Sequence, residues 1–223
     1  MKILAIETSN KTADIAILDS ELDRVWEKEL KTVQKVSEVL VNEIKELLES
    51  VRNADLSSLR INDIDLISVG IGPGSYTGTR VGISTAKGLA QGLDVPIIGI
   101  NSFEALIEAV DQDYENMQII PLINAKNNRA YFQIKEKQGC EDIDEIIKML
   151  EDQKYVFVGT GAKILQREIK RKFGDQAIIA DREKVKAKVI ARIAHTRAEA
   201  NLYDNIFGLK PLYINKPNIG KSK

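Results

Sequence analysis

The chain has 223 residues, of which 43% are hydrophobic and 29% charged, and its 32 Lys and Arg nearly balance its 33 Asp and Glu. A chain of this length buries roughly 70% of the surface that its unfolded form exposes, which is enough for one large core or two of about 100 residues. The formal net charge of -1 argues against a protein whose main task is gripping nucleic acid, although a local basic patch remains possible. The single histidine, His195, excludes every metal site that needs two imidazoles.

The beginning of the chain and its cysteine usage bear on where the protein works. Only four apolar residues, 3–6, precede Glu7, which is too short a run for the core of a signal peptide. No stretch approaches the roughly 20 apolar residues of a membrane span. The single cysteine, Cys140, excludes an intrachain disulfide. These features predict a cytoplasmic protein that does not enter a membrane.

The first thirty residues predict a meander of three antiparallel strands, at 2–8, 12–19 and 22–31. The first strand is mostly apolar, as a central buried strand would be, and the second alternates apolar and polar residues. Because apolar positions become fewer in the third strand, we expect that strand near the edge of the sheet.

The first helix is the clearest element in the sequence. Its apolar residues recur at the 3.6-residue period and form one continuous stripe. The stripe consists of Val36, Leu40, Val41, Ile44, Leu47, Leu48 and Val51. An acidic turn and an apolar strand follow within 62–71. The sequence then predicts a helix over 79–93, a buried strand over 96–100 and a capped helix over 102–110.

The order of these elements, three strands followed by alternating helices and strands, is characteristic of a ribonuclease-H-like half, here residues 1–108. Within residues 109–223 the same order starts again, with strands at 118–124, 129–135, 155–158 and 177–179 and helices at 142–150, 161–173 and about 182–202. The sequence therefore predicts an α/β protein of two such halves, with mixed sheets flanked by helices. This duplication rests on element order alone, since the identity between the halves is too low to show a repeat.

The most distinctive segment is the glycine loop, residues 72–78, between a buried strand and a helix. It reads Gly72, Pro73, Gly74, Ser75, Tyr76, Thr77 and Gly78, and Thr79 and Arg80 follow. Its spacing differs from the dinucleotide fingerprint, and the chain contains no Gly-x-x-x-x-Gly-Lys-Ser/Thr motif. The three glycines and the proline of this loop favour a structural turn. An anion site is the alternative hypothesis, because backbone N–H groups lie beside a helix N-terminus.

Two strand ends are further candidates for a metal or phosphate contact. Glu7-Thr8-Ser9 ends the first strand with a carboxylate and two hydroxyls, where a ribonuclease-H-like or actin-like site would place a metal-linked acid. No partner carboxylate is evident from the spacing, so a plain polar strand end is favoured. Gly159-Thr160-Gly161 is equally compatible with a nucleotide contact and with a helix start.

The remaining chemistry-bearing residues predict no catalytic site. His195 lies inside the long late helix and is expected to be solvated or partly packed. Cys140 follows Gly139 in a predicted polar loop without a histidine neighbour in sequence, so a nucleophile is not expected. Basic residues within 163–172 and 182–188 alternate with acidic ones, which predicts solvated helix faces that could also touch RNA.

Two helices carry a predicted partner interface. The first helix is richly apolar, and the helix after the glycine loop is crowded with small residues, which let another helix approach closely. This surface predicts either a seam between chains or a tight crossing inside the domain. The interface residues are predicted to be Val36, Leu40, Val41, Ile44, Leu47, Gly82, Thr85 and Leu89.

Four segments of the chain together carry a family pattern. Residues 6–9, Ile-Glu-Thr-Ser, are similar to an opening strand that ends in Asp-Thr-Ser, and residues 72–82 match Gly-Pro-Gly-Ser-Phe/Tyr-Thr-Gly-x-Arg-x-Gly throughout. Residues 124–131 are similar to Asp-Ala-Arg-x-x-Glu-Val-Tyr, and residues 211–213 match Pro-x-Tyr. In these segments the chain resembles the TsaB (YeaZ) family, the dimerisation subunits of the bacterial machinery for tRNA threonylcarbamoyladenosine synthesis. The resemblance covers the whole chain.

Two positions depart from the family pattern, since Glu7 replaces the usual Asp and Val36-Ser37 replaces His-Ser. The related carbamoyltransferases of the TsaD and Kae type bind metal through His-x-x-x-His on the helix after the fifth strand. The matching positions here are Ser102 and Leu106, and neither side chain ligates a metal as imidazole does. The resemblance therefore implies no catalytic residue and no metal site in this chain.

The resemblance implies an actin-like fold and a scaffold that is inactive alone. It implies a TsaD-type transferase and a TsaE-type ATPase as partners, a homodimer when the chain is alone, and access to tRNA through the complex. ATP and magnesium would be used by the complex, with no cofactor bound by this chain alone. The alternative hypothesis is an actin-like phosphotransferase with magnesium held by Glu7 and another acid, and a third is direct RNA binding through the basic helices.

Overall fold

A computed structural model describes residues 1–30, 36–54, 59–110, 114 and 117–214. The predicted end of the third strand, at residue 31, lies outside these residues. The strands are β1 (Lys2–Glu7), β2 (Ala13–Asp19), β3 (Arg24–Leu30), β4 (Leu66–Gly72), β5 (Ile97–Asn101), β6 (Gln118–Asn124), β7 (Arg129–Ile134), β8 (Lys137–Asp142), β9 (Tyr155–Val158) and β10 (Ala177–Ile179). The helices are α1 (Val36–Ala54), α2 (Tyr76–Leu93), α3 (Ser102–Glu108), α4 (Ile143–Lys148), α5 (Thr160–Ile164), α6 (Gln166–Phe173) and α7 (Ala187–Glu199).

The contacts divide the chain into two compact units. The first unit comprises Met1–Ala105 and Val185–Pro211, and the second comprises residues 106–184 together with the segment that begins at Leu212. The boundaries differ from the predicted halves 1–108 and 109–223, because the chain returns to the first unit after Lys184. The late helix α7, predicted for the second half, packs on β1 and β2 of the first unit.

The sheet of the first unit has the strand order β3-β2-β1-β4-β5. The three opening strands pair antiparallel, and β4 and β5 extend the sheet in parallel on the other side of β1. Every residue of β1 after Lys2 is buried, whereas most of β3 is at least partly exposed. The predicted meander, with its first strand in the centre and its third at an edge, is therefore confirmed.

The sheet of the second unit repeats this order as β8-β7-β6-β9-β10. Its first strand, β6, again pairs antiparallel with the next strand in sequence and parallel with β9. The predicted α/β fold of two ribonuclease-H-like sheets is confirmed by this shared order of antiparallel and parallel neighbours. None of the helices in the described part of the chain has the length and apolar character needed to cross a bilayer.

The second unit departs from the sequence prediction at an edge strand. Residues 137–142 form β8, which pairs with β7 so that Cys140 lies opposite Tyr131. Cys140 is buried, and its predicted position in a polar loop is wrong. The six residues of β8 carry one buried side chain, so they lack the alternating pattern that identifies a strand. The predicted helix over 161–173 is divided into α5 and α6 at Leu165.

Candidate functional site

The glycine loop lies directly against the end of β1. The backbone N–H of Ser75 donates to the carbonyl oxygen of Ser9 at 2.7 Å, and Thr8 Oγ1 donates to the carbonyl oxygen of Gly78 at 2.7 Å. A Cβ atom on Gly78 would lie 2.0 Å from the Thr8 carbonyl oxygen, and one on Gly74 would lie 2.5 Å from that of Ser9. Both distances are shorter than any stable contact, so glycine is required here by the close approach of two backbone segments.

The N-terminal end of α2 is capped by its own chain. Ser75 is the N-cap residue, and its Oγ accepts the N–H of Gly78 at 3.2 Å. The Ser75 carbonyl oxygen accepts the N–H of Thr79 at 2.9 Å and the Thr79 hydroxyl at 2.8 Å. Because these N–H groups already bind protein atoms, the structural interpretation of the glycine loop is favoured over an anion site.

The outer side of the same segment is exposed. Tyr76 is 44% exposed, and the guanidinium carbon of Arg80 lies 4.1 Å from the centroid of its ring. Thr77 is exposed between them. The Tyr76–Arg80 pair, stabilised by a cation–π interaction, leaves an aromatic ring and a guanidinium group exposed at the start of α2.

Glu7 is fully buried at the end of β1. The backbone N–H of Ser9 donates to Glu7 Oε1, while Oε2 has no hydrogen-bond partner. A Cβ atom on Gly70 would lie 2.0 Å from Glu7 Oε2, so the glycine on β4 makes room for the carboxyl group. Burial raises the pKa of Glu7 to about 7, although the hydrogen bonds from Ser9 and Asn10 lower it.

The magnesium hypothesis requires a second acid beside Glu7, and Asp14 stands opposite Glu7 in the register of β1 and β2. In the described ranges, no three His, Cys, Asp or Glu side chains form a group that could hold a metal ion. Glu7 is enclosed by its own unit, and we do not assign it as a ligand. Ser102 is 1% exposed, and its Oγ lies 3.3 Å from Ser9 Oγ.

The apolar stripe of α1 belongs to the core of the first unit. Leu40, Ile44 and Leu47 are at most 4% exposed, and Val36 is 6% exposed. These side chains share one hydrophobic cluster with the sheet residues. Their predicted role as partner contacts is corrected, since an apolar stripe at this spacing docks a helix on its own sheet. Val41, the fifth member of the predicted set on α1, is 58% exposed.

The helix α2 has one exposed stripe of small or polar residues. Gly82 is buried, and its Cβ would lie 2.2 Å from Thr8 Oγ1, so it is not a surface residue. Thr85 and Leu89 are half-buried at the side of the stripe. The stripe itself, called the α2 face below, consists of Ser84, Gly88, Gln91 and Gly92.

The glycines of the α2 face have no packing role within the described residues. A Cβ atom on Gly88 or Gly92 would meet no other atom within 4 Å. Each glycine makes the helix less stable by about 1 kcal/mol relative to alanine. Two glycines that the first unit does not need for its own packing therefore leave a smooth exposed surface on this helix.

The second glycine turn, Gly159-Thr160-Gly161, has a structural role in the second unit. The N–H of Gly159 donates to the carbonyl oxygen of Arg182 at 3.0 Å, and Thr160 Oγ1 accepts the N–H of Asn124 at 3.1 Å. A Cβ atom on Gly161 would lie 2.9 Å from the Leu122 backbone. The helix-start interpretation of this turn is therefore favoured over a nucleotide contact.

Several of the basic residues singled out in the sequence form ion pairs with neighbouring carboxylates. Lys163 pairs with Glu183 at 3.5 Å, and Arg171 lies 3.6 Å from a carboxylate oxygen of α4. His195 Nδ1 lies 3.7 Å from Glu199, one turn later in α7. These pairs agree with solvated helix faces and with a partly packed histidine.

The comparisons with known proteins agree on one family. The family model described as "TsaD: tRNA N6-adenosine threonylcarbamoyltransferase" matches residues 31–207. The TsaB protein of Haemophilus influenzae is 31% identical over 158 residues, which are 68% of this chain and 61% of that protein. The TsaB protein of Bacillus subtilis is 35% identical over 131 residues, 59% of this chain and 53% of that protein. The chain thus spans only about half to three-fifths of the length of these relatives.

A tRNA N6-adenosine threonylcarbamoyltransferase of Thermosipho melanesiensis is also similar, with 35% identity over 160 residues, 68% of this chain and 49% of that protein. Among solved structures, YeaZ from Pseudomonas aeruginosa superposes with a TM-score of 0.76 at 18% identity and covers 96% of this chain and 100% of that chain. This structural similarity shows the fold. The chain therefore belongs to the tRNA N6-adenosine threonylcarbamoyltransferase (TsaD) family and, by its similarity to the TsaB relatives, to the TsaB proteins.

Proposed function

We propose that this chain is a scaffold subunit in tRNA threonylcarbamoyladenosine synthesis, that it has no catalytic activity alone, and that it pairs with a TsaD-type transferase. The observation that carries this proposal is that the glycine loop makes its contacts within its own unit. The most specific segment of the family pattern packs on Thr8 and Ser9 of its own unit, and its glycines serve that contact. A segment used in this way supports a scaffold better than a substrate site.

The α2 face is the proposed surface for the transferase. Its Gly88 and Gly92 leave open space where a second helix could approach closely, as small residues at helix crossings allow. The exposed Val41 lies on α1, which contacts α2 within the first unit. Pairing through these residues would bury an apolar side chain and would explain two glycines that make α2 less stable in isolation.

The wider assembly follows from the same proposal. A TsaE-type ATPase would join through the transferase, and tRNA would be reached through the complex. ATP and magnesium would be used by the complex, with none bound by this chain alone. The chain alone would form a homodimer through the same face, and the assembly would work in the cytoplasm.

The test is light scattering after size exclusion, on the chain alone and mixed with the TsaD-type transferase of the same organism. We expect a mixed peak, and we expect threonylcarbamoyl transfer to exceed that of either protein alone when TsaE, ATP and magnesium are added. Gly88→Gln and Gly92→Gln fill open space on the α2 face and should fold. Each should lower the affinity for the transferase, measured from formation of the mixed peak, by about tenfold or more. Arg167→Gln, on an exposed position of α6, is the matched control and should bind normally.

Two outcomes would contradict the proposal. Absence of a mixed peak, with and without nucleotide, would refute pairing with the transferase. ATP turnover by the purified chain that disappears in Glu7→Gln would favour the magnesium phosphotransferase instead. Normal binding by both folded glycine variants would leave the pairing intact and would refute the α2 face as its surface.

A further inference from the structure

The first turn of α7 is held on the first sheet by five charged side chains. We call them the Asp14 cluster, and they are Asp14, Glu27, Glu29, Lys186 and Lys188. Lys186 Nζ lies 2.8 Å from Glu29, 3.5 Å from Asp14 and 4.0 Å from Glu27. Lys188 Nζ lies 3.2 Å from Glu27. Three carboxyl groups thus share two ammonium groups.

Asp14 is the buried member of this cluster. The residue is 2% exposed, whereas Glu27, Glu29 and both lysine side chains are at least 24% exposed. Asp14 Oδ2 accepts the N–H of Ala187 at 3.2 Å, and Oδ1 has no hydrogen-bond partner. A buried carboxylate oxygen without a donor is costly, and a proton on the carboxyl group lowers that cost by removing the surplus negative charge.

We propose that the first turn of α7 is docked through a protonated Asp14, so that this end of the helix loosens when Asp14 loses its proton. The opposite end of α7 is fixed in another way. Arg197 donates to both carboxylate oxygens of Glu104, at 2.8 and 2.6 Å, and to the carbonyl oxygen of Gly99 at 3.1 Å. The helix is therefore anchored at its C-terminal end by an arginine, whose charge does not change with pH, and at its N-terminal end by the Asp14 cluster.

The charged groups around Asp14 come from each element packed against it. Glu7 stands opposite Asp14 on β1, and Glu29 stands opposite it on β3. Burial and repulsion by Glu27 raise the pKa of Asp14 to about 7, against the attraction of Lys186 and the hydrogen bond from Ala187. Burial lowers the pKa of Lys186, but its hydrogen bond to Glu29 and its attraction to Asp14 and Glu27 outweigh this, so the net shift is upward and Lys186 stays charged.

The direction of the effect follows from linkage. A carboxyl whose pKa is higher in the docked state than in the undocked state binds its proton more tightly when docked. Docking is therefore strongest below the ordinary pKa of 3.8. It weakens as the pH rises from there to about 7, and it changes no further above about 7.

The test is amide hydrogen exchange of the whole chain between pH 5 and pH 9, corrected for the intrinsic pH dependence of exchange. We expect the protection of residues 187–190 to fall by up to about tenfold for each unit by which the pH rises toward 7. Above pH 7 the protection should level off. Protection of residues 196–199, beside the Arg197 anchor, should change much less over the same range.

Variants assign this dependence to Asp14. Asp14→Asn should remove the difference in pH dependence between residues 187–190 and residues 196–199, whereas Asp19→Asn, on the same strand and equally buried, should keep that difference. Lys186→Gln keeps the buried carboxyl and removes a cation, so the pH at which protection levels off should move upward. It also provides a second readout if Asp14→Asn does not fold.

Three results would overturn the proposal. The first is uniform protection along α7 at all pH values in the unaltered chain. The second is a larger pH dependence at residues 187–190 than at residues 196–199 that persists in folded Asp14→Asn and disappears in Glu7→Gln, which would assign the proton to Glu7. The third is a Lys186→Gln profile that levels off at the same or a lower pH.

Discussion

The buried carboxyl of Glu7 predicts a marked pH dependence of stability. Its pKa is raised from the ordinary value of 4.5 to about 7, mainly because burial disfavours the charged form. The folded state then holds the proton more tightly than the unfolded state, so the free energy of unfolding falls as the pH rises from about 4.5 to about 7. The difference between the two pKa values corresponds to a loss of roughly 3 kcal/mol across this window, with little further change above it.

Glu7→Gln isolates this contribution. Glutamine has nearly the same shape, can accept the same N–H of Ser9 and carries no charge at any pH, so its stability should lack this component of the pH dependence. Relative to the unaltered chain, the variant should gain roughly 3 kcal/mol between pH 4.5 and pH 8. Urea unfolding followed by the fluorescence of Trp26, the single tryptophan and a residue of β3, measures the free energy at each pH.

The control for Glu7→Gln is a variant of an exposed carboxyl. Glu49→Gln removes an exposed carboxyl from α1, and its stability difference from the unaltered chain should change little with pH. If the difference between Glu7→Gln and the unaltered chain is the same at pH 5 and pH 8, then Glu7 is already ionised at pH 5. Such a result would refute a pKa of Glu7 raised by burial.

Two pairs of variants test the packing. Gly78→Ala should lower the free energy of unfolding by several kcal/mol, because its Cβ would meet the Thr8 carbonyl oxygen, whereas Gly88→Ala should raise it by about 1 kcal/mol in urea unfolding. A stable Gly78→Ala would contradict the close approach. Leu40→Asp should abolish the folded circular dichroism spectrum, while Val41→Asp should leave it intact, since the two side chains are 1% and 58% exposed. Equal effects of both would refute the assigned orientation of α1.

The elements and their order could be predicted from the sequence where apolar residues follow a clear period. The apolar β1, the alternation in β2 and the long stripe of α1 each predict one structure, and the structure contains all three. The edge strand β8 could not be found in this way, because one buried side chain among six leaves no pattern to recognise. At β8 most of the side chains are exposed, and the strand is defined by backbone pairing with β7, which does not depend on side-chain type.

The candidate surfaces were less predictable than the elements. The glycine loop stands out in the sequence, but its partner, the end of β1 at Thr8 and Ser9, lies about 70 residues earlier in the chain. An apolar stripe has the same appearance whether it packs on its own sheet or on another protein. Four residues predicted for an interface on α1 therefore proved to be core.

The family pattern, the α/β class and the duplicated order of strands can be predicted from the sequence alone, because local periodicity and short motifs do not depend on long-range contacts. The return of α7 to the first sheet, the burial of Glu7 and Asp14, and the open space at Gly88 and Gly92 are seen only in the folded chain. Burial and proximity are properties of residues far apart in sequence. Whether a carboxyl keeps its proton or a glycine leaves room for a partner therefore depends on neighbours that the local sequence does not reveal.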